Sequence, residues 1–183
     1  MHDTVVVDYE YLRTDIAPAA TDKQLFQAIV NAPFKHKVQS AFLFLGIIVL
    51  LQVNKKTGMI DRVALSDTEL AHQTTTVSVV PFEDIKIPIN APGNIIAKAI
   101  KTGKSQDTTD WSFLFEPALS SEQARINQAS AGIAYSAVHP LKARDGGALI
   151  FSYFQYKEAI GELQHDFMSK YTAIVEERLS QKS

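Results

Sequence analysis

The residues best suited to hold a small molecule stand close together. Trp111, Phe113 and Phe115 alternate along the chain, and aromatic side chains commonly line small-molecule pockets. Asp110 precedes them and Arg125 follows on the next predicted helix, so a carboxylate and a guanidinium are at hand as polar contacts. The same aromatics serve equally as core or lid residues over a sheet, and Arg125, with Asn127, as a solvated helix face. Tyr135 and Tyr153 fall on adjacent predicted strands. Register decides whether they point into such a pocket or away from it, because a one-residue shift reverses the face. Asp107 and Asp110 form a carboxylate pair by spacing, although loop or helix caps account for both.

Reactive chemistry finds less support. None of the five histidines, His2, His36, His72, His139 and His165, forms a His-x-x-x-His pair. Glu162 and His165 share the spacing used by di-iron bundles, but there is no second copy, and a solvated helix face explains them. His139, and after it His72, is the candidate for haem or a metal; packing of a strand-end residue against Pro140 outweighs that role for His139. The chain has no cysteine, which excludes disulfides, thiolate zinc sites, thiol nucleophiles and cysteine-linked chromophores. A Gly-x-Ser-x-Gly elbow, a phosphate-binding loop and a dinucleotide glycine motif are all missing. These residues read as a binding or interaction module, not an enzyme, and they name no cofactor.

The totals narrow the partners. The 183 residues carry 18 basic and 20 acidic side chains, a net charge of −2. Nucleic-acid binders depend on a basic excess to neutralise phosphate, so no nucleic-acid partner is expected. The apolar run Ala41–Val53 is too short for a spanning helix, which needs about 20 residues, and suits a buried strand. Met1–Glu10 lacks a signal pattern. A cytoplasmic protein without a membrane partner is expected.

The elements that must position these residues follow from periodicity. Residues 1–20 read as a lead-in and 21–183 as one domain. A helix opens at Thr21 or Asp22, carries Leu25, Phe26, Ile29 and Val30 on one face, and ends or kinks near Pro33. Strands are expected over 41–53 and 59–66, joined by a turn at Asn54–Gly58. Half-buried strand is expected between Val77 and Ile89. A helix from about Asn94 stops at Gly103, and another, capped by Ser120 or Ser121, stops at Gly132. Strands 133–141 and 148–156 pair through the turn Arg144-Asp-Gly-Gly147. The last helix, 157–180, carries Ile160, Leu163, Phe167, Tyr171 and Ile174 as a stripe. That stripe either packs on its own sheet or pairs with a second subunit. Homodimerisation through the terminal helices is the favoured reading.

Two stretches carry a family resemblance. The first is Lys86-Ile-Pro-Ile-Asn-Ala-Pro-Gly93, the helix ending Lys101-Thr-Gly-Lys104, and Asp107 to Asp110. The second is Ala131-Gly-Ile-Ala-Tyr-Ser-Ala-Val-His-Pro-Leu141 followed by Asp145-Gly146. In order and spacing they resemble the GAF family over roughly residues 21–180. The resemblance implies an α+β sandwich, with about six antiparallel strands flanked by helices and a long C-terminal helix. It also implies a pocket between one sheet face and the loops and helices of residues 90–130. Members bind cyclic nucleotides, tetrapyrroles, haem or other small molecules, or act mainly as dimerisation modules beside an output domain. A free-standing or excised sensory domain with an output-domain or kinase partner is therefore expected. The alternative is a ligand-free interaction module with a filled core. The chain departs from the bilin-carrying and sulfoxide-reducing members in having no cysteine, and from the cyclic-nucleotide binders in lacking their Asn-Lys…Phe…Asp-Glu pattern.

Overall fold

A computed structural model describes residues 6–35 and 37–181. His2, Val5 and His36 lie outside them. The strands are β1 (Leu45–Asn54), β2 (Met59–Leu65), β3 (Ile87–Pro88), β4 (Gln106–Thr108), β5 (Tyr135–Leu141) and β6 (Gly147–Tyr153). The helices are α1 (Tyr9–Ile16), α2 (Asp22–Lys35), α3 (Lys37–Leu43), α4 (Glu69–Val77), α5 (Ile95–Thr102), α6 (Ser112–Phe115), α7 (Ser121–Ala131) and α8 (Glu162–Ser180). The strands form one antiparallel sheet in the order β3-β2-β1-β6-β5-β4. This is the α+β sandwich that hairpin-joined strands require, since each sheet face must be covered by helices.

The sheet separates two cores. Side chains alternate between faces along a strand. Ile48 and Leu50 of β1, with Leu149 and Phe151 of β6, therefore meet α1, α2 and α8 on one side. Ile47, Val49 and Leu51, with Ala148 and Ile150, meet α4, α5, α6 and α7 on the other. No described helix is long and apolar enough to cross a membrane.

Several expectations need correction. The apolar run 41–53 begins as helix: α3 ends at Leu43, Phe44 turns the chain at φ 61°, and β1 starts at Leu45. A continuous apolar run does not reveal such a hand-over. Between Val77 and Ile89 only Ile87–Pro88 pairs as strand, after a 3₁₀ turn at Phe82–Asp84. Within the lead-in, Asp8 caps α1 by accepting from Tyr11 N, and Leu12 and Ile16 are fully buried. Arg178 of α8 donates to the carbonyls of Ile16 and Ala19. Residues 7–19 are thus packed into the domain.

The stripe on α8 is occupied. Phe167 stacks on Tyr171 with ring centroids 5.6 Å apart. Both rings meet Phe151 edge-on, at 5.9 and 6.5 Å, and the Tyr171 hydroxyl donates to the Ile29 carbonyl. Ile160 and Ile174 are buried in the same core, and Leu163 packs against it half-buried. These five residues face their own sheet, so the expected dimer face on them is not available to a second subunit.

Candidate functional site

The second core is incompletely filled. Ile47 and Val49 of β1 and Ile150 of β6 floor a half-enclosed cavity of ≈ 50 Å³. Trp111, Leu114 and Phe115 close one side. The end of α4 and the segment to Ile85 close another, and Asn127 of α7 reaches it. That exceeds the roughly 10–15 Å³ a single water needs, so the space holds a small cluster of waters or a short organic molecule.

The aromatic wall is fixed by hydrogen bonds. The Trp111 indole Nε1 donates to Ser136 Oγ at 2.9 Å, and Ser136 bonds Ser152 at 2.7 Å, on the strand pair beneath. The Trp111 backbone N donates to Gln128 Oε1 of α7. The Phe115 ring lies 5.3 Å from that of Trp111. Asn94 holds the wall from behind. Its Oδ1 caps α5 by accepting from Ile96 N and Ala97 N. Its Nδ2 donates to the carbonyls of Leu114 and Glu116, at 3.0 and 2.9 Å. Losing a cap and leaving buried carbonyls unpaired each destabilise, so Asn94→Ala is expected to lower stability by about 2–4 kcal/mol. Calorimetry would read this as a fall in Tm of roughly 2–4 °C per kcal/mol; an unchanged melt would show that the four bonds contribute nothing.

The cavity's one charged group is Arg62 of β2. It is only 6% exposed. Nη1 donates to the Ile85 carbonyl at 3.1 Å, the guanidinium lies 4.8 Å from the Phe115 ring centroid, and Nη2 is buried without a hydrogen-bond partner. Burial pulls its pKa down to about 9, so it stays charged at neutral pH. A β-bulge aims it. Leu50 pairs with Ala64 and Leu51 with Arg62, which leaves Val63 as an extra residue. Val63 and Ala64 pack into the first core, while Arg62 and Leu65 face the cavity. No sequence expectation included Arg62. The available signal was its parity: it shares a strand face with Ile60, where an apolar residue belongs.

The structure brings only part of the anticipated site together. Trp111 and Phe115 line the cavity, and Phe113 is half exposed and does not. Asp110 and Arg125 pair with each other outside the cavity: Arg125 Nε and Nη2 donate to Asp110 Oδ2 at 3.2 and 3.0 Å, and Ser112 N donates to Oδ1. Partial burial pushes the Asp110 carboxyl up, but the bonds from Arg125 and Ser112 outweigh it and hold the group below its ordinary range. Tyr135 and Tyr153 face the first core; the serines beside them, Ser136 and Ser152, face the second. The Tyr135 hydroxyl donates to Asp107 Oδ2 at 3.0 Å. Burial, then the Asp107 charge, drives that phenol's pKa up. Asp110, Arg125, Phe113, Tyr135 and Tyr153 are therefore not cavity residues.

His139 lies edge-on to Phe151 at 5.5 Å. Burial, then the nearby His165, lowers its pKa to about 4. Among the described residues no three His, Asp or Glu side chains converge as a metal site would need. The shift has a stability consequence. The unfolded chain binds a proton near 6.5 and the folded one only near 4, so this contribution is full above pH 6.5 and is lost as pH falls toward 4. The expected loss is of order 2 kcal/mol. Melting curves across that window should slope less steeply for His139→Gln, and parallel slopes would exclude the effect.

No protein-family model matches the chain, and no curated protein matches it in sequence. Solved structures do match. The GAF domain from Acinetobacter phosphoenolpyruvate-protein phosphotransferase aligns over 93% of this chain and 89% of its own, with TM-score 0.61 and 8% identity. The phycoerythrobilin-bound GAF domain of a cyanobacterial phytochrome aligns over 96% of each chain, with TM-score 0.60 and 13% identity. The fold is GAF-like. Free methionine-R-sulfoxide reductase from Neisseria meningitidis, in complex with its substrate, shares it too, over 92% of this chain and 85% of its own, with TM-score 0.57 and 12% identity. A GAF-like fold thus occurs with and without catalysis. This GAF-like domain has an apolar cavity with a buried arginine that no ion pair among the described residues includes.

Proposed function

We propose that the chain is a sensory or regulatory domain that binds a small molecule in the cavity beneath α6. The observation that carries this reading is the half-enclosed, mostly apolar cavity lined by Trp111 and Phe115 with a few buried polar groups, one of them the charged Arg62, which is the usual make-up of a small-molecule site. The GAF-like neighbour that holds a bilin supports the placement of a ligand on this fold. With no cysteine in the chain, the role proposed is binding without turnover, in the cytoplasm. Occupancy would be passed across the sheet to α1 and α8, and from their outer faces to a second copy, an output domain or a kinase.

Native mass spectrometry of the freshly purified chain tests this. The expected result is an adduct above the 20.2 kDa chain, or one formed on adding candidate metabolites, with a higher Tm because only the native state binds. The small size of the cavity favours a second reading, an interaction module that holds no ligand. A bare mass with no stabilisation by any candidate, accompanied by a concentration-dependent dimer in sedimentation, would establish that reading instead.

A further inference from the structure

We infer that the cavity's ligand is a small organic anion, a monocarboxylate on a short apolar body, with the Arg62 guanidinium as its counter-ion. This deepens the sensor reading and rests on it.

The argument starts from an imbalance of charge. Removing a guanidinium from water is costly unless an anion or a full set of acceptors replaces the water. None of the ion pairs among the described residues includes Arg62. Its neighbour Asp61 shares no strand face with it, and takes Lys86 Nζ and Asn54 Nδ2 instead. Arg62 keeps one protein acceptor, the Ile85 carbonyl, while Nη2 is buried with none. A guanidinium presents five N–H groups in a fixed fork that fits the two oxygens of a carboxylate. Phe115, 4.8 Å away, steadies the cation without neutralising it.

Size and lining narrow the class. A cavity of ≈ 50 Å³ suits a carboxylate with a short chain better than a nucleotide or tetrapyrrole. The hydrocarbon of Ile47, Val49 and Ile150 suits an alkyl tail and offers a hydrated multivalent anion nothing. Asn127 has its Oδ1 taken by Gln123 Nε2, so the group it has left to offer is the amide nitrogen, a second donor suited to an anion.

Trp111 is the chain's single tryptophan and lines the cavity, so its fluorescence reports occupancy. Wild-type protein is titrated with sodium acetate, propionate and butyrate, with the matching neutral amides, and with sodium phosphate at equal ionic strength. The expected result is a saturable change with carboxylates, strengthening with chain length until the cavity is full, and none with amides or phosphate. Arg62→Met and Arg62→Gln, checked for folding by circular dichroism, should weaken carboxylate binding at least tenfold. Equal response to amides, a response to phosphate alone, or undiminished binding in a folded Arg62 variant would overturn the assignment of a monocarboxylate on Arg62 and leave the sensor reading standing. So would a neutral or cationic adduct in the native mass spectrum. Silence from every compound together with a bare native mass would overturn both. The amide and phosphate arms use the wild-type chain, so they decide the question even if neither variant folds.

Discussion

Phe167→Ala is expected to destabilise the domain by about 3–5 kcal/mol, and Tyr171→Glu to unfold it. Phe167 is sandwiched between Tyr171, with which it stacks, and Phe151, which it meets edge-on. Truncation removes a buried ring and leaves a cavity in a helix-to-sheet contact that has little freedom to collapse. At Tyr171 a carboxylate would be buried on a fully enclosed site whose present hydroxyl is committed to the Ile29 carbonyl. Circular dichroism and sedimentation, run together, separate this from the view that the stripe joins two subunits. Loss of helical signal in Tyr171→Glu fits the packing described. A well-folded Tyr171→Glu chain that has merely lost a dimer would show that α8 is mispositioned.

Gly147→Ala is expected to lower stability by about 3 kcal/mol, far more than a methyl group ordinarily does. Gly147 opens β6 opposite Gln52. A Cβ there would stand 2.1 Å from the Leu51 carbonyl oxygen and 3.1 Å from its carbon, both backbone atoms of the central strand. No side chain can swing aside to relieve that overlap, so β1 and β6 would have to part. Gly93→Ala is the matched control. Nothing lies within 4 Å of its Cβ position, and the strain is confined to a positive φ of 74°, about 1–2 kcal/mol. Urea titration of both variants gives the comparison, and a Gly147→Ala midpoint at or above that of Gly93→Ala would refute the close approach.

Those contrasts indicate which parts of the fold a reader of the sequence can see. Punctuation was legible: Gly103 and Gly132 end α5 and α7 in left-handed geometry, Ser120 caps α7 through its side chain, and the turns at Asn54–Gly58 and Arg144–Gly147 join paired strands. Local stereochemistry decides such positions, so a few residues suffice. Parity was not legible. Tyr135 and Ser136 are equally plausible inward residues until the register with β6 is known, and the true register turns Ser136 to the second core, where it holds the Trp111 indole. Arg62 was hidden for a related reason. A strand residue with a charge is ordinarily assigned to solvent, and the pairing of Arg62 with Leu51 confirms the interior face it shares with Ile60. The aromatic alternation at 111–115 suggested one pocket wall or lid, yet as the helix α6 it turns Phe113 outward and keeps Trp111 and Phe115 together.

One wall of the cavity buries few of its own side chains. α4 buries a single residue fully, Ala71, and both Val77 and Val79 at its far end are exposed. Few buried contacts mean a small free energy of local opening. Amide protons of α4 should therefore exchange with solvent well before those of β1 or α8, so this edge of the second core can open while the sheet stays closed.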